Sequence, residues 1–185
     1  MSYSLEQQRQ EFASRRMLAV PLAGLLAWLT IGVAGLVLKP THVVWVLFIA
    51  TGSIVYLGML LSRLTGEDFF RKSQPKNTFD TLFLYSVGMS LLVYAVAIPF
   101  FLADYTSLPL TVGILTGLMW LPLGWIIRHW VGAFHAVGRT GLVLLAWYLF
   151  PAQRFVVIPL VIVGMYLVTI IILERRWRVV RAHKL

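Results

Sequence analysis

The sequence predicts an all-α, polytopic membrane protein with six transmembrane helices, and three observations lead to this class. Six apolar runs fill most of the 185 residues, and none of them contains an acidic residue. Hydrophobic residues make up 59% of the chain and charged residues 12%, against about 25% charged in an ordinary soluble domain. Each run supplies the roughly 20 helical residues that a hydrocarbon core about 30 Å thick requires. The predicted spans are residues 17–38, 43–62, 81–103, 108–127, 130–150 and 155–173.

We expect residues 1–185 to form one transmembrane domain, because the longest connection between runs, residues 63–80, is too short for a separate soluble domain. The first run is as long as a full span, lacks a small-residue cleavage site before Lys39 and leads directly into the second. It is therefore predicted to be a retained helix and not a cleaved signal peptide. The basic tail, residues 174–185, should continue the last helix into the headgroups, with Trp177 as an interface anchor.

Prolines and small residues indicate how the predicted helices bend and pack. Pro99 and Pro122 lie inside the third and fourth runs, where each removes a backbone hydrogen bond and should kink its helix. Small residues let helix backbones approach closely in a membrane, either within one chain or between two copies. The small residues that could allow such contacts are Gly24, Gly32 and Gly35 along one side of the first run and the GxxxG pair Gly113 and Gly117 in the fourth. We expect a monomer or a homodimer.

Three spans followed by three more is the arrangement of an inverted repeat, which many transporters have. Val20-Pro-Leu near the start of the first run corresponds to Leu108-Pro-Leu at the start of the fourth. A 3+3 inverted repeat is therefore a possible architecture.

The basic residues predict the topology. The formal net charge is +9, and the predicted loops on one side carry thirteen Lys and Arg residues against two on the other. Because basic residues concentrate in cytoplasmic loops, both termini should be cytoplasmic. We interpret the charge as topology plus attraction to the anionic headgroups of membrane lipids, and not as a nucleic-acid surface. The thirteen are Arg9, Arg15, Arg16, Arg63, Arg71, Lys72, Lys76, Arg128, Arg175, Arg176, Arg178, Arg181 and Lys184; the two are Lys39 and Arg154.

Several chemistries are excluded by residues that the chain lacks. It has no cysteine, so a disulfide, a thiolate metal site and a cysteine nucleophile are impossible, and the predicted spans contain no lysine for a Schiff base. Hydrolytic or transfer chemistry usually needs paired carboxylates, a metal set or a nucleophile with its base, and no such set is visible. We therefore expect no cofactor and no enzymatic activity.

The fifth run contains the most informative residues. In a helix over residues 130–150, Arg139 lies about 14 Å along the axis, close to the bilayer centre, and His135 is its neighbour at i−4. An unpaired Arg at that depth costs from about 3 to above 10 kcal/mol, so such residues usually face a partner or a cavity. None of the predicted spans offers an Asp or Glu as that partner.

Three arrangements could satisfy Arg139. It could donate hydrogen bonds to hydroxyls and helix-end carbonyls, reach acidic residues at the cytoplasmic face, or hold an anionic ligand. The hydroxyl candidates on the third run are Tyr85, Ser86, Ser90 and Tyr94, and the acidic candidates are Glu67, Asp68 and Asp80.

His135 should be neutral beside a fixed cation, and it then either moves a proton, donates to a ligand or simply packs. His129 falls on the other side of the helix, and His42 and His183 are distant in sequence. A metal site or a bis-His haem would need more ligands than this, so we expect neither.

Several segments together resemble a family of small bacterial integral-membrane proteins of unknown function. They are Phe48-Ile-Ala-Thr-Gly-Ser-Ile54, Leu61-Ser-Arg-Leu-Thr-Gly-Glu67, Ala97-Ile-Pro-Phe-Phe-Leu102, His129-Trp-Val-Gly-Ala-Phe-His135, Arg139-Thr140 and Ala146-Trp-Tyr-Leu-Phe-Pro151. The resemblance extends over nearly the whole chain. It implies six helices in a bacterial cytoplasmic membrane and supplies no activity.

Two classes of function remain open. The first is a small transporter or channel-like protein whose polar or cationic cavity takes a small or anionic ligand. Its predicted lining consists of Arg139 and His135 with Thr51, Tyr56, Ser86, Ser90 and Tyr94. The second is a non-transporting membrane scaffold, lipid-binding or partner-binding protein whose polar residues only join the helices. The space around Arg139, open or filled, discriminates between them.

Overall fold

The computed structural model describes residues 3–67 and 77–182, which form helices and turns with no β-strand in those two ranges. Its helices are α1 Leu5–Ala13, α2 Ala19–Val37, α3 Pro40–Thr65, α4 Thr78–Leu92, α5 Tyr94–Ala103, α6 Leu108–Leu115, α7 Trp120–Ile126, α8 Val131–Ala133, α9 Arg139–Leu149 and α10 Arg154–Ala182. A π-helical segment, Phe134–Gly138, joins α8 to α9. Short 3-10 turns, Tyr105–Ser107 and Pro151–Gln153, precede α6 and α10.

Within the described ranges, five helical stretches are long and apolar enough to cross a membrane. They are Ala19–Val37, Pro40–Thr65, Thr78–Ala103, Tyr105–Ile126 and Pro151–Ala182. They correspond to five of the six runs predicted from the sequence, with ends that differ by a few residues. The last stretch reaches Ala182, so the basic tail continues the helix, as predicted, as far as the structure describes it.

The remaining predicted span, residues 130–150, is helical from 131 to 149 through α8, the π-helical segment and α9. It is not among the five stretches, because it carries His135 and Arg139 among its apolar residues. A sixth crossing is therefore not established by length and composition alone.

The kink predicted at Pro122 coincides with a break in its span, whereas the helix continues through Pro99. The third span is interrupted at Val93, between α4 and α5, and Pro99 lies inside α5. The fourth span is interrupted by turns at residues 116–119, and Pro122 follows in α7. Proline clashes with the carbonyl four residues before it, which for Pro122 is that of Leu118, within the turns. For Pro99 the corresponding residue, Ala95, lies inside α5, so the proline does not account for the break at Val93.

The glycines of the first and fourth runs mediate contacts within the chain. A Cβ on Gly24 would overlap the Tyr166 ring, with Cε1 only 2.9 Å away, and one on Gly35 would overlap the Phe155 carbonyl. Gly113 of the GxxxG pair faces Ile162 of α10, where a Cβ would lie 3.1 Å from Cδ1. The intramolecular alternative for these small residues is therefore the one that the structure shows.

The short helix α1 lies against one end of the bundle, and the sequence did not predict it. Its N-terminus has a capping box formed by Ser4 and Gln7. On its inner face, Phe12 is buried against Phe79 and Phe83, with ring centroids 6.5 and 6.0 Å apart. This apolar contact fixes α1 to the start of α4.

Both ends of the described chain meet at that same end of the bundle. Arg16, just before α2, forms an ion pair with Glu174 near the end of α10, with Nε and Oε2 2.9 Å apart. Glu67, just after α3, accepts hydrogen bonds from the backbone N–H groups of Leu18 (2.7 Å) and Ala19 (3.0 Å). The start of α2 and the ends of α3 and α10 are thus neighbours.

The opposite end of the bundle carries fewer charges. Arg154, at the start of α10, donates to the Thr106 hydroxyl at 2.8 Å, lies 4.0 Å from the Asp104 carboxylate and stacks over Trp147 at 3.3 Å. The acid and the arginine at this end neutralise each other.

Candidate functional site

Arg139 is completely buried and forms the centre of a polar group that we call the arginine cluster, Arg139 with Thr116, His135, Tyr166 and Thr169. Its Nη2 donates to the Thr116 hydroxyl at 3.0 Å and its Nη1 donates to the Tyr166 hydroxyl at 3.3 Å. The His135 Nε2 lies 3.5 Å from Nη1, at the limit of a hydrogen bond. The cluster thus joins α6, α9 and α10 through one cation.

The neighbours of His135 assign its tautomer. Arginine can only donate, so Nε2 of His135 faces Nη1 of Arg139 as an acceptor. The proton then sits on Nδ1, which donates to the Thr169 hydroxyl at 2.8 Å. His135 is itself 0% exposed, and both of its ring nitrogens face protein partners inside the bundle.

Aromatic rings surround the cluster. The guanidinium carbon of Arg139 lies 5.4 Å from the Trp28 ring centroid and 5.5 Å from that of Tyr166, both within cation–π range. The Trp120 ring stacks on His135, with centroids 4.4 Å apart. Ring faces carry partial negative charge, so these contacts stabilise the cation without neutralising it.

Two irregular stretches of backbone position the cluster. The π-helical segment Phe134–Gly138 carries His135 and ends immediately before Arg139. Thr116 lies at the start of the break between α6 and α7. The break brings Gly117 so close that a Cβ there would lie 3.0 Å from Cδ of Arg139. π-helical segments and broken membrane helices are both frequent at ligand sites.

The positive charge of Arg139 has no counter-charge in the described part of the chain. None of the ion pairs found there includes Arg139. Its Nε is buried and has no hydrogen-bond partner among the described residues. Five N–H groups therefore face two good acceptors and one distant one, which is unusual for a buried guanidinium.

Of the three arrangements considered for Arg139, the one in which it reaches acidic residues is not the one observed for two of the three candidate acids. Asp80 pairs with Arg15, and Glu67 accepts from the backbone at the start of α2. The third candidate, Asp68, lies outside the described residues.

Two hydroxyl groups accept hydrogen bonds from Arg139, but they are not the predicted ones. The serines of α4 that were predicted to accept from Arg139 form hydrogen bonds within their own helix. Ser86 donates to the Leu82 carbonyl, and Ser90 donates to the Val87 carbonyl. Tyr94 and Tyr85 are not among the groups that accept from Arg139 in the structure. The hydroxyls that do accept come from α10 and from the break in the fourth span.

Of the seven predicted lining residues, the structure brings only His135 and Arg139 together in the cluster. Thr51 and Tyr94 form a separate pair, with their hydroxyl oxygens 2.5 Å apart. Tyr56 is 74% exposed on the outside of the bundle. Thr116, Tyr166 and Thr169 were missed, although hydroxyl-bearing residues inside long apolar runs were a signal that could have identified them.

Five helical stretches long and apolar enough to cross a membrane, in the described residues, are the arrangement expected of a multi-pass helical membrane protein. The chain belongs to the family of unknown function DUF7010, which matches residues 5–176. This agrees with the family resemblance drawn from the sequence. No curated protein and no solved structure matches the chain.

Proposed function

We propose that this protein is a small transporter or channel-like membrane protein that binds a small anion at Arg139. One observation carries the proposal: a fully buried guanidinium has no carboxylate partner in the described residues, and its Nε has no acceptor. A buried charge is costly unless it is paired, and a bound anion would supply both the counter-charge and the missing acceptor. The proposed role includes no catalytic step.

The backbone around Arg139 supports movement of a ligand through this region. Membrane transporters commonly bind their ligands where helices are discontinuous near the bilayer midplane. Here the break at residues 116–119 and the π-helical segment Phe134–Gly138 face each other across Arg139. The break lies in the middle of its helical stretch, and the π-helical segment follows the first three residues of its own.

We also propose six membrane crossings, with residues 131–149 as the fifth. The ion pair between Arg16 and Glu174 supports this number, because it places the residues before the first span and after the last on one side of the bundle. A chain that starts and finishes on one side crosses the membrane an even number of times. The five apolar stretches account for five crossings, and residues 131–149 would make the sixth. The cytoplasmic position of both termini, the bacterial inner membrane and the 3+3 inverted repeat remain predictions.

The first test is whether small anions stabilise the purified protein through Arg139. Thermal unfolding in detergent should be measured with chloride, nitrate, formate and acetate added as sodium salts, with sodium sulfate as a control for ionic strength. We expect at least one small anion to raise the melting temperature of the wild type and not that of Arg139→Gln. Arg175→Gln, which removes an exposed charge instead, should respond like the wild type.

The second test is flux. Proteoliposomes loaded with the stabilising anion should release it faster than empty liposomes, and Arg139→Gln should abolish the difference. Absence of stabilisation by all of the anions would reject the anion site, whereas stabilisation without flux would reject transport alone.

A non-transporting scaffold is the second candidate, and the aromatic packing favours it. Trp28, Trp120 and Tyr166 fill the space around the guanidinium, and the first two are at most 2% exposed. In that case Arg139 only joins three helices. Arg139→Gln would then lower the melting temperature by the same amount with and without anions, and Arg139→Lys would restore part of it.

A further inference from the structure

A second group of basic side chains surrounds a cleft of about 220 Å³ between α1 and the last turns of α10. Its lining residues are Arg9, Gln10, Ala13, Ser14, Arg176 and Val180. The cleft lies at the end of the bundle where the Arg16–Glu174 ion pair lies, far along the chain from the arginine cluster. We call it the α1–α10 cleft.

Arg176 is the residue that makes the cleft unusual. One of its terminal nitrogens, Nη2, donates to the Ala13 carbonyl at the end of α1. The other, Nη1, is buried and has no hydrogen-bond partner among the described residues, and none of the ion pairs found there includes Arg176. An acceptor entering the cleft would give this guanidinium the partner that it lacks.

The charged side chains around the cleft have a net positive charge. Arg9 donates to both oxygens of Glu6, at 3.0 and 2.5 Å, and Arg128 lies 3.4 Å from the same carboxylate. Glu6 can neutralise only one of these two arginines, and Arg176 adds a further positive charge. Burial and, to a lesser degree, the nearby charge of Arg176 lower the pKa of the His129 imidazole.

The helix ends at the cleft do not attract an anion, so binding would depend on the arginine side chains. Both α1 and α10 approach the cleft with their C-terminal turns, which carry partial negative charge. An anion in the cleft is therefore held by arginine side chains and not by a helix N-terminus. Arg176 is the residue whose removal should matter most.

We propose that the α1–α10 cleft binds a phosphoryl group through the free Nη1 of Arg176. Arg9, whose nitrogens are bonded to Glu6 and to the Ile126 carbonyl, lines the cleft beside it. Guanidinium groups form strong charge-assisted hydrogen bonds with phosphate oxygens, often two at a time. The cleft is smaller than the roughly 300–1,000 Å³ of drug-sized ligand pockets, so it fits one headgroup phosphate or one free phosphate. Both sources present the same chemistry, and the experiment separates them.

The test uses the full-length protein in phosphate-free maltoside detergent micelles under three conditions: detergent alone, detergent with phosphatidylglycerol, and detergent with inorganic phosphate. Melting temperature and native mass spectrometry report stabilisation and the number of bound lipids. All measurements are made in the Arg139→Gln background as well, so that an anion at the arginine cluster is not counted. We expect phosphatidylglycerol or phosphate to stabilise the protein in both backgrounds.

The variants assign the effect to the cleft. Arg176→Gln should lower the affinity for the stabilising ligand about tenfold, the effect of losing one charge-assisted hydrogen bond. Its control is Arg175→Gln, which removes the same charge from the exposed neighbouring position and should change the affinity less than about twofold. Val180→Phe fills the cleft while keeping Arg176 bonded to Ala13, and it should also weaken binding if Arg176→Gln does not fold.

The outcomes are distinct. Stabilisation by phosphatidylglycerol alone identifies a lipid headgroup, and equal stabilisation by inorganic phosphate identifies free phosphate. Stabilisation by neither ligand, or an equal loss in Arg175→Gln and Arg176→Gln, overturns the proposal.

Discussion

Replacing Tyr166 by Phe tests whether the arginine cluster stabilises the fold through a charged donor. The substitution removes only the hydroxyl that accepts from Nη1 of Arg139 at 3.3 Å, and it leaves the ring that packs beside His135. In the variant, Nη1 retains only the His135 nitrogen at 3.5 Å. A charged donor inside the bundle is then left nearly unsatisfied.

The expected loss is about 1.5 kcal/mol in the free energy of unfolding. Hydrogen bonds to charged groups contribute about 1.5–3 kcal/mol in soluble proteins, whereas those between membrane helices average about 0.6 kcal/mol with a maximum near 1.7. The Arg139 bond should lie near the upper membrane value, because the donor is charged and has few other acceptors. Its 3.3 Å length argues against a larger figure.

The chain provides a matched control in Tyr94→Phe. Tyr94 is bonded to Thr51, a neutral partner whose own hydroxyl donates to the Leu47 carbonyl at 2.6 Å. Removing the Tyr94 hydroxyl therefore leaves no charged donor without an acceptor, and we expect the free energy of unfolding to fall by about 0.6 kcal/mol or less. Both variants keep the aromatic ring, so the comparison isolates the charge.

The assay is reversible unfolding in mixed micelles with increasing sodium dodecyl sulfate, followed by tryptophan fluorescence. Wild type, Tyr166→Phe, Tyr94→Phe and the double variant should be compared. If Tyr166→Phe costs no more than Tyr94→Phe, Arg139 is not held by this hydroxyl and the account of the cluster is refuted.

Three further predictions concern other parts of the chain. Gly24→Ala should lower stability by about 1–3 kcal/mol, because its Cβ would overlap the tyrosine of the arginine cluster, whereas Gly52→Ala, with nothing within 4 Å, should not; thermal unfolding measures both. Hydrogen bonds from Arg9, with the charge of Arg128 nearby, lower the pKa of Glu6 from 4.5 to about 2. The stabilisation from this carboxylate is therefore complete above pH 4.5 and lost as the pH falls towards 2, so hydrogen exchange in α1 should accelerate in that window and Glu6→Gln should remove the dependence. A fluorescent reporter fused after Leu185 should read cytoplasmic, and a periplasmic signal there would contradict the predicted topology.

The positions of the spans could be predicted from the sequence because each depends on local composition. A run of about 20 apolar residues forms a helix in a membrane whatever its neighbours are, since no other conformation satisfies its backbone there. The break before Pro122 was predictable for the same reason, because proline acts on its own helix. The place of Arg139 in the middle of such a run was also a property of the sequence, whereas the complete burial of its side chain is a finding of the structure.

The helix α1 and the α1–α10 cleft could not be predicted in this way. α1 is polar and short, and an isolated helix of its length is marginal in water. It is held by Phe12 against α4 and by the Arg15–Asp80 ion pair, contacts between residues far apart in sequence. Nothing in the local pattern of residues 5–13 identifies those partners.

The partners of Arg139 show the same division most clearly. The sequence by itself determined that a cation lies beside His135 in the middle of an apolar run and that no predicted span supplies an acid for it, because both facts depend on residue type and helical spacing. Only the tertiary structure decided that Thr116 and Tyr166, 23 and 27 residues away, accept its hydrogen bonds in place of the hydroxyls on α4 and α5. Apolar length positions a helix in the membrane, but it does not fix the rotation of that helix against its neighbours. That rotation comes from side-chain packing, here from glycines such as Gly24 that admit Tyr166, and it determines which polar groups meet.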